Sequence, residues 1–443
     1  MKVRIETHGC KLNAADSQQL AREFAATGFE LVGVDTGRDV PPDVFVLNSC
    51  TVTSVADRKA RQAVSAARRR FPDALIVATG CYAERDPDAV NAVEAVDLAL
   101  GNRNKPEIVR AVVDQLGVAF IPVDTGDTTL PGNQMALPGR TRASVKIQEG
   151  CDQVCAYCIV PKVRGRERSV PVSEIVGKVQ RLVAEGCSEV VLTGTQLGTY
   201  GFDIESTSLP GLLRAVLRET DVRRLRVSSL QPLELTDELL SLWAGTGGRL
   251  CPHFHISLQS GSDAVLGHMR RRYTAAQFAG AVDRVRQAVP GCSVTTDVIC
   301  GFPGETAEDH AATLATIERI RFADAHVFPY SMRPGTSAAY ADGPVSSQLK
   351  AERAAEVRAL TERHALDFKQ ASIGQVRPVL WEGASATAGL TDNYLRVRSN
   401  SQKHQNRTTN SGRTEVRRHP GRIEDVRLSG IALDGSMTVE LLD

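Results

Sequence analysis

From residue 143 to about 370 the chain alternates short apolar runs with amphipathic ones six times. The apolar runs are ASVKIQ, EVVLTG, RLRVSSL, HFHISLQ, SVTTDVICG and AHVFPYS. Between them lie SEIVGKVQRLVAEG, LPGLLRAVLRE, TDELLSLWAG, TAAQFAGAVDRVRQAV and AEDHAATLATIERI, with apolar positions at helical spacing. Strands that each need a helical return before the next parallel partner leave few architectures. Six such units predict an α/β fold with an open or partial barrel, two units short of the closed form. Its chemistry would collect at the C-terminal strand ends.

The flanking segments differ. Residues 1–125 carry KVRIET, VFVLNSC and ALIVATGC as buried strands with helical runs between them, which implies a parallel sheet covered on its faces. In the first helical run Leu20 and Phe24 share a face, Asp16 or Ser17 is placed to cap the start, and Gly28 to stop it. Residues 126–142 are Gly-, Pro- and polar-rich without periodicity and read as a linker, leaving 143–370 as the central domain. Residues 371–443 show no convincing helix. The short strands VRPVLWEG, YLRVRSN, IEDVRLSGIAL and SMTVELL predict a small β-barrel, interrupted by a polar insert over 399–422.

The opening MKVRIETHGC lacks the apolar core of a signal peptide, and no run is long enough for a membrane span. The chain is therefore read as cytoplasmic, with no membrane partner. In a reducing compartment its ten cysteines are metal ligands, reactive thiols or core residues rather than disulfides. Cys151, Cys155 and Cys158 form C-x3-C-x2-C directly after the first strand of the central domain. Tetrahedral zinc would want a fourth ligand nearby, and no histidine lies in this loop. A [4Fe–4S] cluster takes one thiolate per iron, so three leave one iron open.

Cys10, Cys50 and Cys81 follow no local spacing rule, but each ends a predicted parallel strand, and such ends share one sheet edge. Convergence on a second metal centre and burial as core thiols both fit that placement. Cys187, Cys251 and Cys292 read as packing residues, and Cys300 as a neighbour of the site.

The cysteine spacing, with Tyr157 before the last cysteine, resembles the radical S-adenosylmethionine enzymes. That resemblance implies that the open iron holds the amino and carboxylate groups of S-adenosylmethionine. It assigns Gly194 and Thr195 of VLTGTQLG to the methionine amino group and Ser257 and Gln259 of HISLQSG to the ribose or carboxylate. DVICGFPGET, with Gly301, falls along the adenine. Over essentially its whole length the chain is similar to the methylthiotransferases of that superfamily. GCKLN, NSCTVTSVADRK, TGCYAE, KIQEGCDQVCAYCIVPKVRGRERS, HISLQSG and HVFPYSMRPGTSAA carry the likeness. It implies a second [4Fe–4S] cluster on Cys10, Cys50 and Cys81, a C-terminal TRAM barrel associated with RNA binding, an electron donor such as flavodoxin or ferredoxin, and a sulfur source.

Within the family, Cys10-Lys11-Leu12-Asn13, NSCTVT with Ala56-Asp57-Arg58-Lys59, LTGTQLGTYG and HVFPYS…GTSAA resemble the subgroup acting on threonylcarbamoyladenosine. Ala14-Ala15 and Ser49 are mild departures. The expected reaction replaces C–H at adenine C2 with S–CH3 beside the tRNA anticodon, one S-adenosylmethionine giving the methyl group and a second the radical. Isopentenylated adenosine in tRNA and an aspartate of a ribosomal protein are the rival substrates. A non-catalytic iron–sulfur RNA-binding protein is the rival class, disfavoured by the ordered cofactor motifs.

A net charge of +1 gives no global nucleic-acid signal. Local clusters do: Arg68, Arg69 and Arg70; Arg164, Arg166 and Arg168; Arg270, Arg271 and Arg272; Arg417 and Arg418 in the insert. Each also reads as an ordinary solvated helix end. Tyr394 is a candidate for base stacking or for core.

Overall fold

A computed structural model describes residues 1–33, 40–118, 141–383, 386–399 and 421–442. In the N-terminal domain, β1 (Lys2–His8), β2 (Glu30–Leu31), β3 (Val44–Ser49), β4 (Leu75–Gly80) and β5 (Leu98–Leu100) form one sheet in the order β2-β1-β3-β4-β5. Every pairing is parallel. Both faces are covered, which is why β3 is apolar almost throughout. Val44, Val46, Leu20 and Phe24 pack on one face, and Phe45, Leu47, Val64 and Phe71 on the other. The two edge strands were not foreseen; at two and three residues they carry no periodic signal.

Helix α1 (Lys11–Ala26) starts earlier than a cap at Asp16 or Ser17 would allow. Cys10 occupies the N-cap with no side-chain cap bond, and both expected caps lie buried in the second turn. Ser17 Oγ instead accepts from Thr7 at 2.8 Å and from Asn48 Nδ2 at 2.9 Å. Gly28, at φ +86°, does follow the helix end as expected. Helix α2 (Ser54–Arg70) is capped by Thr53, whose side chain accepts from the Ala56 N–H.

The central domain contains all six anticipated strands: β6 (Arg142–Lys146), β7 (Glu189–Thr193), β8 (Arg224–Val227), β9 (His253–Ile256), β10 (Ser293–Cys300) and β11 (Asp324–Pro329). They run parallel in sequence order, and Ser229–Leu230, continuing β8, joins the two halves of the wall by pairing with β9. The wall does not close: β6 and β11 are its free edges. Helix α1 packs along β6, where Gln18 Oε1 accepts from the Ser144 N–H. At the opposite edge Asp57 pairs with Arg333 at 2.6 Å, both buried, and the Ser54 N–H donates to Ser331 Oγ. The N-terminal domain therefore bridges the two edges of the partial barrel. No helix among the described residues is long and apolar enough to cross a membrane.

A helix over Ser347–Ser372 leads into a closed five-stranded barrel: β12 (Val376–Glu382), β13 (Ala388–Thr391), β14 (Arg396–Arg398), β15 (Ile423–Ile431) and β16 (Met437–Leu441). Its core is centred on the fully buried Trp381. Strand β13, only four residues with a glycine, is the one the sequence reading missed. The barrel seats on the N-terminal ends of the parallel strands. Arg224 donates to the Leu390 and Thr391 carbonyls at 3.0 and 2.7 Å, and Ser293 to that of Asn393 at 2.6 Å. The insert holding Arg417 and Arg418 and the expected linker lie outside the described residues, apart from a few positions at their ends.

Candidate radical and sulfur-handling site

Cys151, Cys155 and Cys158 occupy the loop after β6, on the C-terminal side of the wall. The loop is pinned at its start, where the Cys151 N–H donates to the Gly165 carbonyl at 3.1 Å, and turns tightly through Cys158 N–H to the Cys155 carbonyl. Gly150 makes the entry possible: it sits at φ +78°, and a Cβ there would strike the Arg166 carbonyl. Burial pushes the Cys158 thiol up to about 12, with the Cys155 and Cys151 sulfurs adding to the shift. Cys151 is raised to about 11, again chiefly by burial. The Gln153 N–H donates to Cys151 Sγ and Arg271 Nη1 to Cys155 Sγ, each at 3.4 Å. Gathered thiols that resist ionisation in each other's presence, yet receive N–H donors, suit a polycationic iron cluster that deprotonates them on binding.

The other three thiols gather by register. His8 pairs with Ser49 and Ser49 with Gly80, so Gly9, Cys50 and Cys81 follow side by side at one sheet edge, with Cys10 one residue beyond Gly9. The Cys50 N–H donates to the His8 carbonyl at 2.7 Å. Gly80, at φ +99°, turns the chain into Cys81, and a Cβ there would strike Ser49. Cys50 is pushed up to about 12, first by burial and then by Cys81 and Cys10, which places all three in one electrostatic neighbourhood. Asn102 Nδ2 donates to Cys81 Sγ at 3.4 Å, and Cys10 Sγ donates to Asn13 Oδ1 at 3.2 Å. Cys81 packs against Ile159 and Val163, just past Cys158, so this edge faces the cluster loop. Among the described residues no three ligating side chains close around a single metal ion. A cubane, with its irons at separate corners, asks for thiolates held further apart than that.

The expected cofactor contacts come from four stretches of the chain. A Cβ on Gly194 would lie 3.0 Å from the Gln148 carbonyl, and the Thr195 N–H donates to Gln148 Oε1 at 2.9 Å. Thr195 Oγ1 is buried without a partner among the described residues, an orphaned donor in the place assigned to the methionine end. Ser257 Oγ faces Asp297 Oδ2 at 3.4 Å, and Gln259, at φ +65°, donates its N–H to the Asp297 carbonyl. Tyr157 packs with Ala156, Val265, Met269, Phe302 and Tyr330. Gly301 is bonded within its own loop. Its N–H donates to both Glu305 oxygens at 3.0 Å, and Glu305 is held by Arg353 at 2.7 Å.

Sequence reasoning missed a second polar group at the strand ends. Gln231 Nε2 donates to Gln153 Oε1 at 2.9 Å and to Gln196 Oε1 at 2.8 Å, and Gln196 donates to Glu234. Burial raises Glu234 to about 7. These residues come from three different βα units, so only the curvature of the wall brings them together.

One arginine of each described cluster turns inward, and the other six are exposed. Arg68 closes α2 by donating to the Pro72 and Ala74 carbonyls and pairing with Asp97. Arg164 is buried between Asp16 at 3.1 Å and Glu149 at 2.6 Å. Burial works against the Asp16 carboxylate, but Lys105, Lys146 and Arg164 outweigh it and hold its pKa far below the usual range. Arg271 lies against Tyr273 and Cys155. Tyr394 stacks on His253 at 4.3 Å with 4° between the rings. Arg69, Arg70 and Arg166 are exposed, Arg166 with Asp152 as partner at 3.2 Å.

An open parallel wall with three thiols in the loop after its first strand defines a radical S-adenosylmethionine enzyme. Residues 145–317 match the family model described as the Radical SAM superfamily, and residues 2–101 match that of the uncharacterized protein family UPF0004. The chain is 36% identical over 409 residues to the threonylcarbamoyladenosine tRNA methylthiotransferase MtaB of Bacillus subtilis, covering 89% of each. It is 37% identical over 395 residues to the tRNA-2-methylthio-N(6)-dimethylallyladenosine synthase of a Mycobacterium bovis strain, covering 85% of this chain and 75% of that one. Among solved structures the radical S-adenosylmethionine methyltransferase TsrM from Kitasatospora setae shares the fold, with a TM-score of 0.53, 18% identity and 76% of each chain covered. The chain belongs to the radical S-adenosylmethionine tRNA methylthiotransferases, enzymes that use S-adenosylmethionine and [4Fe–4S] clusters.

Proposed function

We propose that this enzyme methylthiolates C2 of the N6-threonylcarbamoyladenosine just 3′ of the tRNA anticodon. The observation that carries the reading is the opposition of the two thiol sets across the contact of Cys81 with Ile159. It provides a radical-generating place and a sulfur-holding place within one cleft. When bound, S-adenosylmethionine supplies the methyl group and the hydrogen-abstracting radical. Cys151, Cys155 and Cys158 hold the first cluster and Cys10, Cys50 and Cys81 the second. Thr195 and Gly194 orient the methionine end, Ser257 and Gln259 the ribose or carboxylate, Tyr157 and Gly301 complete the cofactor's surroundings, and the Gln196–Gln231–Glu234 group lines the same mouth. The exposed Arg69, Arg70 and Arg166 meet phosphates of the anticodon stem–loop, and the small C-terminal barrel acts as a TRAM domain.

The substrate assignment rests on the CKLN motif and on the MtaB relatives. The relatives named for dimethylallyladenosine, at similar identity, keep that nucleoside as the second reading. A flavodoxin or ferredoxin supplies electrons, a separate donor supplies sulfur, and the work is done in the cytoplasm, where tRNA is modified. Mass spectrometry of tRNA nucleosides from cells lacking this protein tests the substrate. Loss of the methylthio form with threonylcarbamoyladenosine retained supports it, and loss of methylthio-dimethylallyladenosine instead overturns it.

A further inference from the structure

Lys11 follows Cys10 directly, yet its side chain leaves the thiol edge. Its ammonium lies 5.7 Å from the centre of the Tyr394 ring. The guanidinium of Arg226 stands 5.0 Å from the same ring, whose other contact is the stacked His253. The N-terminal domain, the parallel wall and the small barrel thus meet at one point on the floor of the partial barrel, below the cofactor end.

Charge at that floor is unbalanced. Arg142 is held by Glu382 at 2.6 Å, while Arg224 and Arg226 share the single carboxylate of Glu189 at 2.8 and 2.9 Å. Among the described residues no carboxylate pairs with Lys11. His253, 2% exposed, also leaves its Nδ1 without a partner there. Buried cations and polar atoms are costly unless something satisfies them. Both orphans sit at the foot of one column: His253, His255 and Ser257 alternate onto a single face of β9 and its continuation. From Ser257, in the place assigned to the cofactor, to His253 is four residues, about 13 Å at 3.3 Å each.

The substrate's arm would run along that column. With adenine C2 turned to the cofactor end, the N6 arm leaves the ring on another side, away from C2, and the threonylcarbamoyl arm ends in a carboxylate. The dimethylallyl arm ends in methyl groups. Resting on the substrate reading above, we propose that Lys11 binds the carboxylate of the threonylcarbamoyl arm and thereby separates this nucleoside from dimethylallyladenosine. A site built to hold a charged group discriminates strongly against an analogue that lacks it, because its own polar group is then left unpaired.

The test uses the reconstituted full chain and synthetic anticodon stem–loops carrying threonylcarbamoyladenosine, dimethylallyladenosine or plain adenosine. Wild type should bind the first most tightly. Lys11→Met, which keeps the stem over Tyr394, should weaken that binding about 10–100-fold, to the level of plain adenosine, while leaving plain adenosine unchanged. Lys11→Arg should restore most of the preference. If Lys11→Met keeps the wild-type preference, Lys11 is not the carboxylate's partner, although the substrate reading stands. If wild type itself does not favour the threonylcarbamoyl stem–loop, the substrate reading fails and takes this inference with it.

Discussion

Cys81 packs against Ile159, the residue directly after Cys158. One sheet edge and one loop, 78 positions apart in sequence (159 − 81), are thereby pressed together. The contact is apolar, with Val163 completing it. Ile159→Ala should open a cavity there and cost about 2–5 kcal/mol. The readout is a lowered midpoint in thermal unfolding of the reconstituted protein, compared with Ile159→Val, which should cost about 1 kcal/mol.

Asp57 holds the N-terminal domain to the far edge of the partial barrel. It pairs with Arg333 at 2.6 Å and with Arg85 at 3.1 Å. Arg333 Nε and Nη1 have no other partner among the described residues. Asp57→Ala would strand the Arg333 guanidinium at a buried junction, at about 3–5 kcal/mol, while Arg85 keeps Asp86 at 3.4 Å. Limited proteolysis should then release the N-terminal domain at protease levels that leave wild type intact.

Gly150 admits no side chain. Gly150→Ala would combine a left-handed backbone with a clash against the Arg166 carbonyl, so the loop that carries Cys151 must move. The expected result is loss of about half the iron, from the cluster on this loop alone, with 5′-deoxyadenosine formation abolished. Iron analysis after anaerobic reconstitution measures it.

Glu234 gives a pH dependence of defined sign. Its folded value of about 7 lies above the roughly 4.3 of an unfolded glutamate, so between those values the folded state binds more proton. Stability contributed by the protonated group is complete below about pH 4 and is lost as pH rises towards 7. Denaturant midpoints for wild type and Glu234→Gln, measured from pH 4 to 8, should diverge with rising pH, the variant losing less, by a total on the order of 3 kcal/mol.

What was legible in the sequence follows from the range of the signal. Strands β6 to β11 were readable because each carries apolar residues at alternate or successive positions between segments of helical periodicity. The common edge of Cys10, Cys50 and Cys81 was readable because parallel register turns a strand-end position into a position in space. Asp16 was misread as a cap because a helix start is a local pattern, whereas its partners Lys105, Lys146 and Arg164 lie 89, 130 and 148 positions away. Arg68 and Arg164 looked like free basic residues for the same reason. The Gln153–Gln196–Gln231–Glu234 group has no motif as a whole: only Gln231 and Glu234, a capping box, are close in sequence, and Gln153 and Gln196 follow the first two strands of the wall.

The central claim is that two sets of three cysteines hold two clusters, and iron counting with cofactor cleavage tests it most directly. Reconstituted wild type should approach about eight iron atoms per chain, four for each cluster. Cys10→Ala should fall towards about four and still form 5′-deoxyadenosine from S-adenosylmethionine and dithionite, while methylthio transfer stops. An unchanged iron content in Cys10→Ala would contradict the account.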